Sequence, residues 1–373
     1  MTTAVFLFGR LMDDALRAAV LGDDLPVQPA DLPGHALCAP ATLAGGAGLR
    51  PAPGSHVAGY LVHPDATALA RLERYVGLRP ARDLALAVTT PAGEMSARAY
   101  VPSGDGAGPW AFADWQARHA AVERLAWDEM QALARAHPPD ALKARYPMAL
   151  AHAASRLRAE SEPQQARLRG AWGRGDIRPL RETRPYAWFF AVSEDDLQFR
   201  QFDGVWSAKV KRAAFVMSDA VTVLPYDPAR DAVMLVEQFR YGPWIRGAQN
   251  AWSLEPIAGR VDPGETPPEA ALREAQEEAR LTLAPEALLP IGNCYPSPGA
   301  VTEFLYQYVV LCDLPEGAEG ISGLDSEAED IRSHILPFDR LMRLVAAGEV
   351  QNGPLLLSAY WLAANRDRLR QDA

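Results

Sequence analysis

Residues 259 to 281 read GRVDPGETPPEAALREAQEEARL. In a helix, Glu274 and Glu278, four apart, stack one above the other, with Glu277 beside them. Like charges at that spacing repel. The run REAQEE taken alone favours a solvated helix laced with salt bridges. The alternative chemistry is a set of hard oxygen donors for a small divalent cation, which would offset the repulsion. Thr266 and Glu269 are spaced for a capping box, with proline at the first helical position, so the helix should start there and run to about Arg280. Arg273 can pair with Glu269 or Glu277, and Ala271, Leu272, Ala275 and Ala279 supply a packing face.

The wider spacing decides between the two readings. Gly259, Glu265, Arg273, Glu274, Ala275, Glu277, Glu278 and Leu281 all match the Nudix box, and the segment resembles that family. Arg280 stands where the family has glycine, which normally ends the helix in a left-handed turn. The resemblance implies that Glu274 and Glu278 are the principal ligands of Mg²⁺ (or Mn²⁺), with Glu277 assisting and the Ala258 carbonyl as a further ligand. It also implies that Glu265 is structural, paired with Arg273. The reaction class is hydrolysis of a nucleoside diphosphate linked to another group.

Outside the box, VEQFRYGP (236–243) with WSLEPIAGR (252–260), YPSPGAVTE (295–303) and GLDSEAEDIRSHIL (323–336) resemble ADP-ribose pyrophosphatases, including the group linked to tellurite resistance. By that resemblance Glu327 is the catalytic base and Glu329 a further metal ligand; without the box, both belong to a solvated acidic loop. Arg240 contacts substrate, for which a planar guanidinium suits phosphate or adenine, although a strand-end salt bridge accounts for it equally well. Glu303 lies near the scissile diphosphate, and Ser297 and Gly299 shape the ribose-phosphate pocket. Arg212, with Trp188 or Phe189, holds the adenosine end across a dimer. Family members of this kind are domain-swapped homodimers, which implies a homodimer here. His334 reads as packing.

These residues need elements to position them. The chain has 373 residues, 49% apolar and 23% charged, which suits two cores. The formal net charge of −10 argues against a nucleic-acid binder and fits a small-molecule enzyme. Three scattered cysteines make neither a zinc site nor a disulfide framework. No apolar run reaches membrane-spanning length, and the start lacks a signal-peptide pattern, so the expected compartment is the cytoplasm. Three segments are expected. They are a first domain over 1–108, a helical linker over 109–175, and a Nudix domain over 176–373 forming an α/β/α sandwich with a mixed sheet. The overall class is α/β (α+β). Trp110, Trp115 and Trp127 in the helical stretch read as packing residues.

In the first domain, 4–8 reads as a strand, 12–22 as a helix, 23–55 as Pro/Gly-rich loops with short strands, 56–64 as a strand, 65–77 as a helix and 84–102 as a hairpin turned at 91–93. VFLFGRLMDD (5–14) and LARLERYVGL (69–78) resemble the gamma-glutamylcyclotransferase-like (AIG2-like) fold, a small β-barrel with helices. The resemblance places an anion site at Gly9, Arg10 and Leu11. Val76 occupies the position of that family's general base, and an apolar residue cannot take a proton. Binding, regulation or structure is therefore the first reading of this domain. A cyclotransferase with Glu73 as a displaced base is the second. For the whole chain, a non-catalytic nucleotide sensor is the remaining alternative.

Overall fold

The computed structural model describes residues 3–40, 46–103, 106–163, 167–314, 317, 319–323 and 329–371. It divides into two compact units, Met1–Leu168 with Ala187–Phe190, and Arg169–Tyr186 with Ala191–Ala373.

The first unit contains β1 (Val5–Leu7), α1 (Asp14–Leu21), β2 (Val27–Pro40), β3 (Gly48–Val62), α2 (Ala66–Gly77), β4 (Ala81–Thr90), β5 (Gly93–Pro102), β6 (Gly106–Pro109), α3 (Phe112–Leu133) and α4 (Pro139–Ser161). The pairings β1–β5–β4–β2–β3–β1 close a five-stranded barrel, and β6 extends from β2. Phe6, Phe8, Leu32, Val57, Leu61 and Val88 fill one core, while Val5 and Leu7, of opposite parity on β1, join the helices in a second. That division is the two-residue period of a strand with both faces covered.

Two expectations are corrected. The stretch 23–55, expected as loops with short strands, supplies most of two long strands. Ala30 and Leu32 point inward while Pro29 and Pro33 sit on the exposed parity, and a register shift at Gly34, with φ +70°, absorbs the mismatch. The helices expected as a linker are core elements of this unit: Trp115, Trp127, Met130, Leu142 and Tyr146 pack with Val5, Leu7 and Leu16.

The second unit contains β7 (Ile177–Ala187), β8 (Ala191–Phe199), β9 (Val210–Val216), β10 (Ala220–Asp227), β11 (Ala232–Phe239), α5 (Tyr241–Arg246), β12 (Trp252–Glu255), β13 (Ile257–Arg260), α6 (Pro267–Ala279), β14 (Leu288–Cys294), β15 (Leu305–Leu311), β16 (Ile321–Ser322), β17 (Ile331–Pro337), α7 (Phe338–Ala347) and α8 (Gly353–Gln371). β7, β8 and β9 form a three-stranded sheet. The main sheet runs β14-β15-β10-β11-β17-β16, with β12 on β11 and β13 on β10. β10 and β15 are parallel and the other pairs antiparallel, so the sheet is mixed. Val221, Val223, Met234 and Val236 pack against α6 on one face. Leu224, Val233 and Leu235 pack against α7 and α8 on the other. This is the expected α/β/α sandwich. Among the described residues no helix is long and apolar enough to cross a membrane.

Trp127 is fully buried, donates from Nε1 to the Ala19 carbonyl at 3.1 Å and meets Tyr75 edge-on at 5.4 Å. Trp127→Ala should therefore cost the first unit about 3–5 kcal/mol in denaturant unfolding. A linker helix would lose far less.

Candidate active site: a buried carboxylate pair on one helix

Local sequence builds α6 as expected. Thr266 caps it, Glu269 reaches back to complete the capping box, and proline occupies the first turn. The helix ends at Arg280, which adopts the left-handed conformation with φ 56°. Leu281 N–H bonds the Ala275 carbonyl and Arg280 N–H the Gln276 carbonyl, both at 3.0 Å, so a left-handed residue closes the helix end without the usual glycine. A side chain in that region is disfavoured. Arg280 Nη2 donates to the Ile321 carbonyl at 3.0 Å and offsets part of the cost.

Ala270, Ala271 and Ala275 are fully buried, so small side chains let α6 lie close to the sheet. Close approach drags the neighbouring carboxylates down with it. Glu278 is only 2% exposed, and its Oε2 accepts from Ala258 N–H at 3.1 Å. Glu274 lies over Gly259, where a Cβ would fall 1.8 Å from its Oε1. Gly259 is thus a glycine because the carboxylate fills the space of its side chain.

Arg273 organises the rest. It grips Glu265 through Nε (2.8 Å) and Nη2 (3.1 Å), and donates to the Arg260 carbonyl. Its Nη1 reaches Glu274 at 2.7 Å and Glu277 at 2.9 Å. The expected Glu265–Arg273 pairing is present, and Glu277 is engaged by the same guanidinium. Glu278 receives nothing from Arg273. Burial, outweighing the Ala258 bond and joined by the charges of Glu274 and Glu329, pushes its carboxyl up to about 8. Burial likewise pushes Glu274 up to about 7, against the pull of Arg273 and with the push of Glu277 and Glu329.

Arg240 pairs with Glu255 through Nε (3.1 Å) and Nη2 (2.7 Å), and its charge acts on both Glu278 and Glu303. Burial raises the Glu303 carboxyl. The structure thus gathers Ala258, Glu274, Glu278, Glu329, Arg240 and Glu303 into one electrostatic neighbourhood. Ser297 and Gly299 lie in an exposed turn whose Ala300 carbonyl accepts from Phe215 on β9. Arg212, also on β9, is exposed and bonds only the Lys211 carbonyl among the described residues. Trp188 and Phe189 fall with the first unit. Trp188 meets His137 edge-on at 5.3 Å, and its carbonyl accepts from Arg145. Glu327 lies outside the described residues. His334, expected as packing, pairs with Glu237 at 2.9 Å.

In the first unit, Gly9 takes φ 61° and starts a short 3₁₀ turn through Arg10 and Leu11. All three expected anion-site residues are near a small cavity, which Arg10 and Leu11 line together with Val76. Glu73, the candidate displaced base, instead pairs with Arg98 and Tyr100.

Residues 217–357 match the family model described as NUDIX domain. The chain is 33% identical over 198 residues to the ADP-ribose pyrophosphatase of Haemophilus influenzae, across 52% of this chain and 90% of that protein. The chain belongs to the Nudix family. Other Nudix relatives include the ADP-ribose pyrophosphatase of Escherichia coli K12 (31% identity, 54% of this chain, 94% of that one). The GDP-mannose pyrophosphatase of Salmonella paratyphi B matches at 31% across 41% of this chain and 77% of its own. A solved ADP compounds hydrolase aligns with a TM-score of 0.39 and 22% identity, across 51% of this chain and 96% of that one. These matches span about half of this Nudix chain.

Sequence reasoning missed Glu255, which fixes Arg240 and is 4% exposed. Its signal was a lone acid in the strand run WSLEPI.

Two outcomes follow for the chelator-treated protein. A carboxyl whose folded pKa is raised favours folding below its unfolded value near 4.5 and loses that contribution as pH climbs through 7 to 8. Glu278→Gln should therefore leave metal-free stability nearly unchanged at pH 5, raise it progressively as pH climbs to about 8 and add little above that, read by denaturant melts. Gly259→Ala should preserve the fold but displace the Glu274 carboxylate. Mn²⁺ affinity by electron paramagnetic resonance should fall by roughly tenfold or more.

Proposed function

We propose that the second unit is a divalent-metal-dependent hydrolase of ADP-ribose or a related ADP-sugar, releasing AMP and, from ADP-ribose, ribose 5-phosphate. The observation that carries this is the buried Glu274–Glu278 pair, held at a mutual repulsion that the charge of Arg240 offsets only in part for Glu278. Relatives named for ADP-ribose pyrophosphatase activity support the substrate class.

Among the described residues no three acidic, histidine or cysteine side chains already form a metal cluster, and Arg273 bonds both Glu274 and Glu277. The donor chemistry nevertheless fits a hard cation: buried carboxylate oxygens with Glu329 close enough to act on both. Glu274 and Glu278 would hold it, with Glu329 and the Ala258 carbonyl contributing and Glu277 assisting. When bound, Mg²⁺ or Mn²⁺ supplies neutralisation of the diphosphate charge and activation of the attacking water.

The chain's own residues do the rest. Glu255 fixes the Arg240 guanidinium from one side, leaving Nη1 without a partner among the described residues and able to hold a phosphate oxygen. Glu327 takes the proton of the attacking water as its oxygen bonds to phosphorus. The bond from phosphorus to the bridging oxygen breaks, and the released phosphate carries away the electron pair. Glu303 orients the diphosphate. In a homodimer with swapped strands, Arg212 contacts the adenosine end. The first unit, resembling the gamma-glutamylcyclotransferase-like fold, serves as a binding or regulatory module.

The test is hydrolysis by purified protein of ADP-ribose, ADP-glucose and GDP-mannose with each metal. ADP-ribose should be cleaved, with Glu278→Gln and Glu327→Gln each lowering kcat by about a hundredfold or more. Absent turnover, or turnover that Glu278→Gln leaves intact, sinks this reading; preference for GDP-mannose corrects the substrate alone.

A further inference from the structure

The C-terminal end of α6 holds a conformational outlier. Arg280 takes φ 56° and ψ 26°, in the left-handed region, with its side chain exposed. Glycine meets that turn at no steric cost, and arginine does not. Backbone strain beside a functional site points to a role for the residue that bears it. Here the side chain makes a bond out of the helix. Arg280 Nη2 donates to the Ile321 carbonyl on β16 at 3.0 Å, across a separation of 41 residues.

A second bond runs the other way: Ser322 Oγ donates to the Glu278 carbonyl. β16 has only two residues, Ile321 and Ser322, paired with Arg332 and Ile331 of β17. So short a pairing is weak without support. Burial supplies little of it, because Ile321 is 60% exposed. Gly323 follows directly, with φ 111°, and its backbone lies against Glu329. A Cβ on Gly323 would fall 2.8 Å from the Glu329 Cβ and 2.9 Å from its carbonyl oxygen. Glu329 in turn stands two residues before Ile331, the fully buried start of β17. Its charge acts on both Glu274 and Glu278. The end of α6, β16, Gly323 and Glu329 thus form one connected stack.

We propose that Arg280 is a positioning residue that latches β16 to the end of α6 and so holds Glu329 beside the Glu274–Glu278 pair. This role rests on the divalent-metal reading of that pair, and it assigns part of the cation affinity to a side chain that touches no cation. Without the latch, Glu329 must be ordered when the cation arrives, and that cost is charged against affinity. Charge makes the opposite demand. A guanidinium near a cation site repels the ion, so by electrostatics alone its removal would tighten binding. Latch and charge therefore carry opposite signs.

Arg280→Gly in the intact protein is the test. Glycine suits the left-handed turn, so the thermal midpoint should hold or rise by up to about 4 °C. In the metal-free protein, hydrogen exchange of the amides of Ile321, Ser322, Ile331 and Arg332 should quicken by roughly tenfold. Mn²⁺ affinity, read by electron paramagnetic resonance, should fall by about tenfold. Ser322→Ala should move exchange and affinity in the same direction, and Arg280→Lys, which keeps a donor, should recover most of both. Exchange is read without metal. A wild type that binds no Mn²⁺ would therefore count against the metal reading, while exchange still decides the latch. Unchanged exchange in Arg280→Gly, or Mn²⁺ bound as tightly as by wild type or more tightly, overturns the assignment.

Discussion

The second unit is organised around an unfavourable interaction: two carboxylates, Glu274 and Glu278, pressed against a sheet with too little positive charge beside them. A helix that merely decorated a surface would turn these groups outward. The alanines of α6 prevent that by bringing its backbone close to β10 and β13, and the missing side chain of Gly259 leaves the space that Glu274 fills. Arg273 answers part of the charge and anchors Glu265 on the preceding loop, but it does not reach Glu278. Stability is given up locally, as the proposed cation site requires.

The first unit handles a buried acid in the opposite way. Glu123 sits among two arginines and two tyrosine hydroxyls, and its pKa falls where those of Glu274 and Glu278 rise. The residue type is the same in both units, and the surroundings set the sign.

What could be read in the sequence was what local chemistry decides. The start of α6, its capping box and the face shared by its glutamates follow from spacing alone. The β4–β5 turn at 91–93 followed from turn residues. Long-range closure was hidden. The prolines of β2 suggested loops, yet barrel pairing accommodates them on the outer parity with a register shift at Gly34. Glu123 lies four residues before the buried Trp127, a place on the apolar stripe that could have flagged it, but its arginine partners are over forty residues away in sequence. The left-handed Arg280 shows the converse: tertiary context imposes a conformation that the residue itself disfavours.

The central claim is that Glu274 and Glu278 share a divalent cation. Anomalous diffraction from a crystal soaked in Mn²⁺ tests it without reference to turnover. The account predicts a single strong peak within about 2.0–2.3 Å of oxygens from both residues, with Glu274 drawn away from Arg273. A peak bound elsewhere, or none while Arg273 keeps both Glu274 and Glu277, would contradict it.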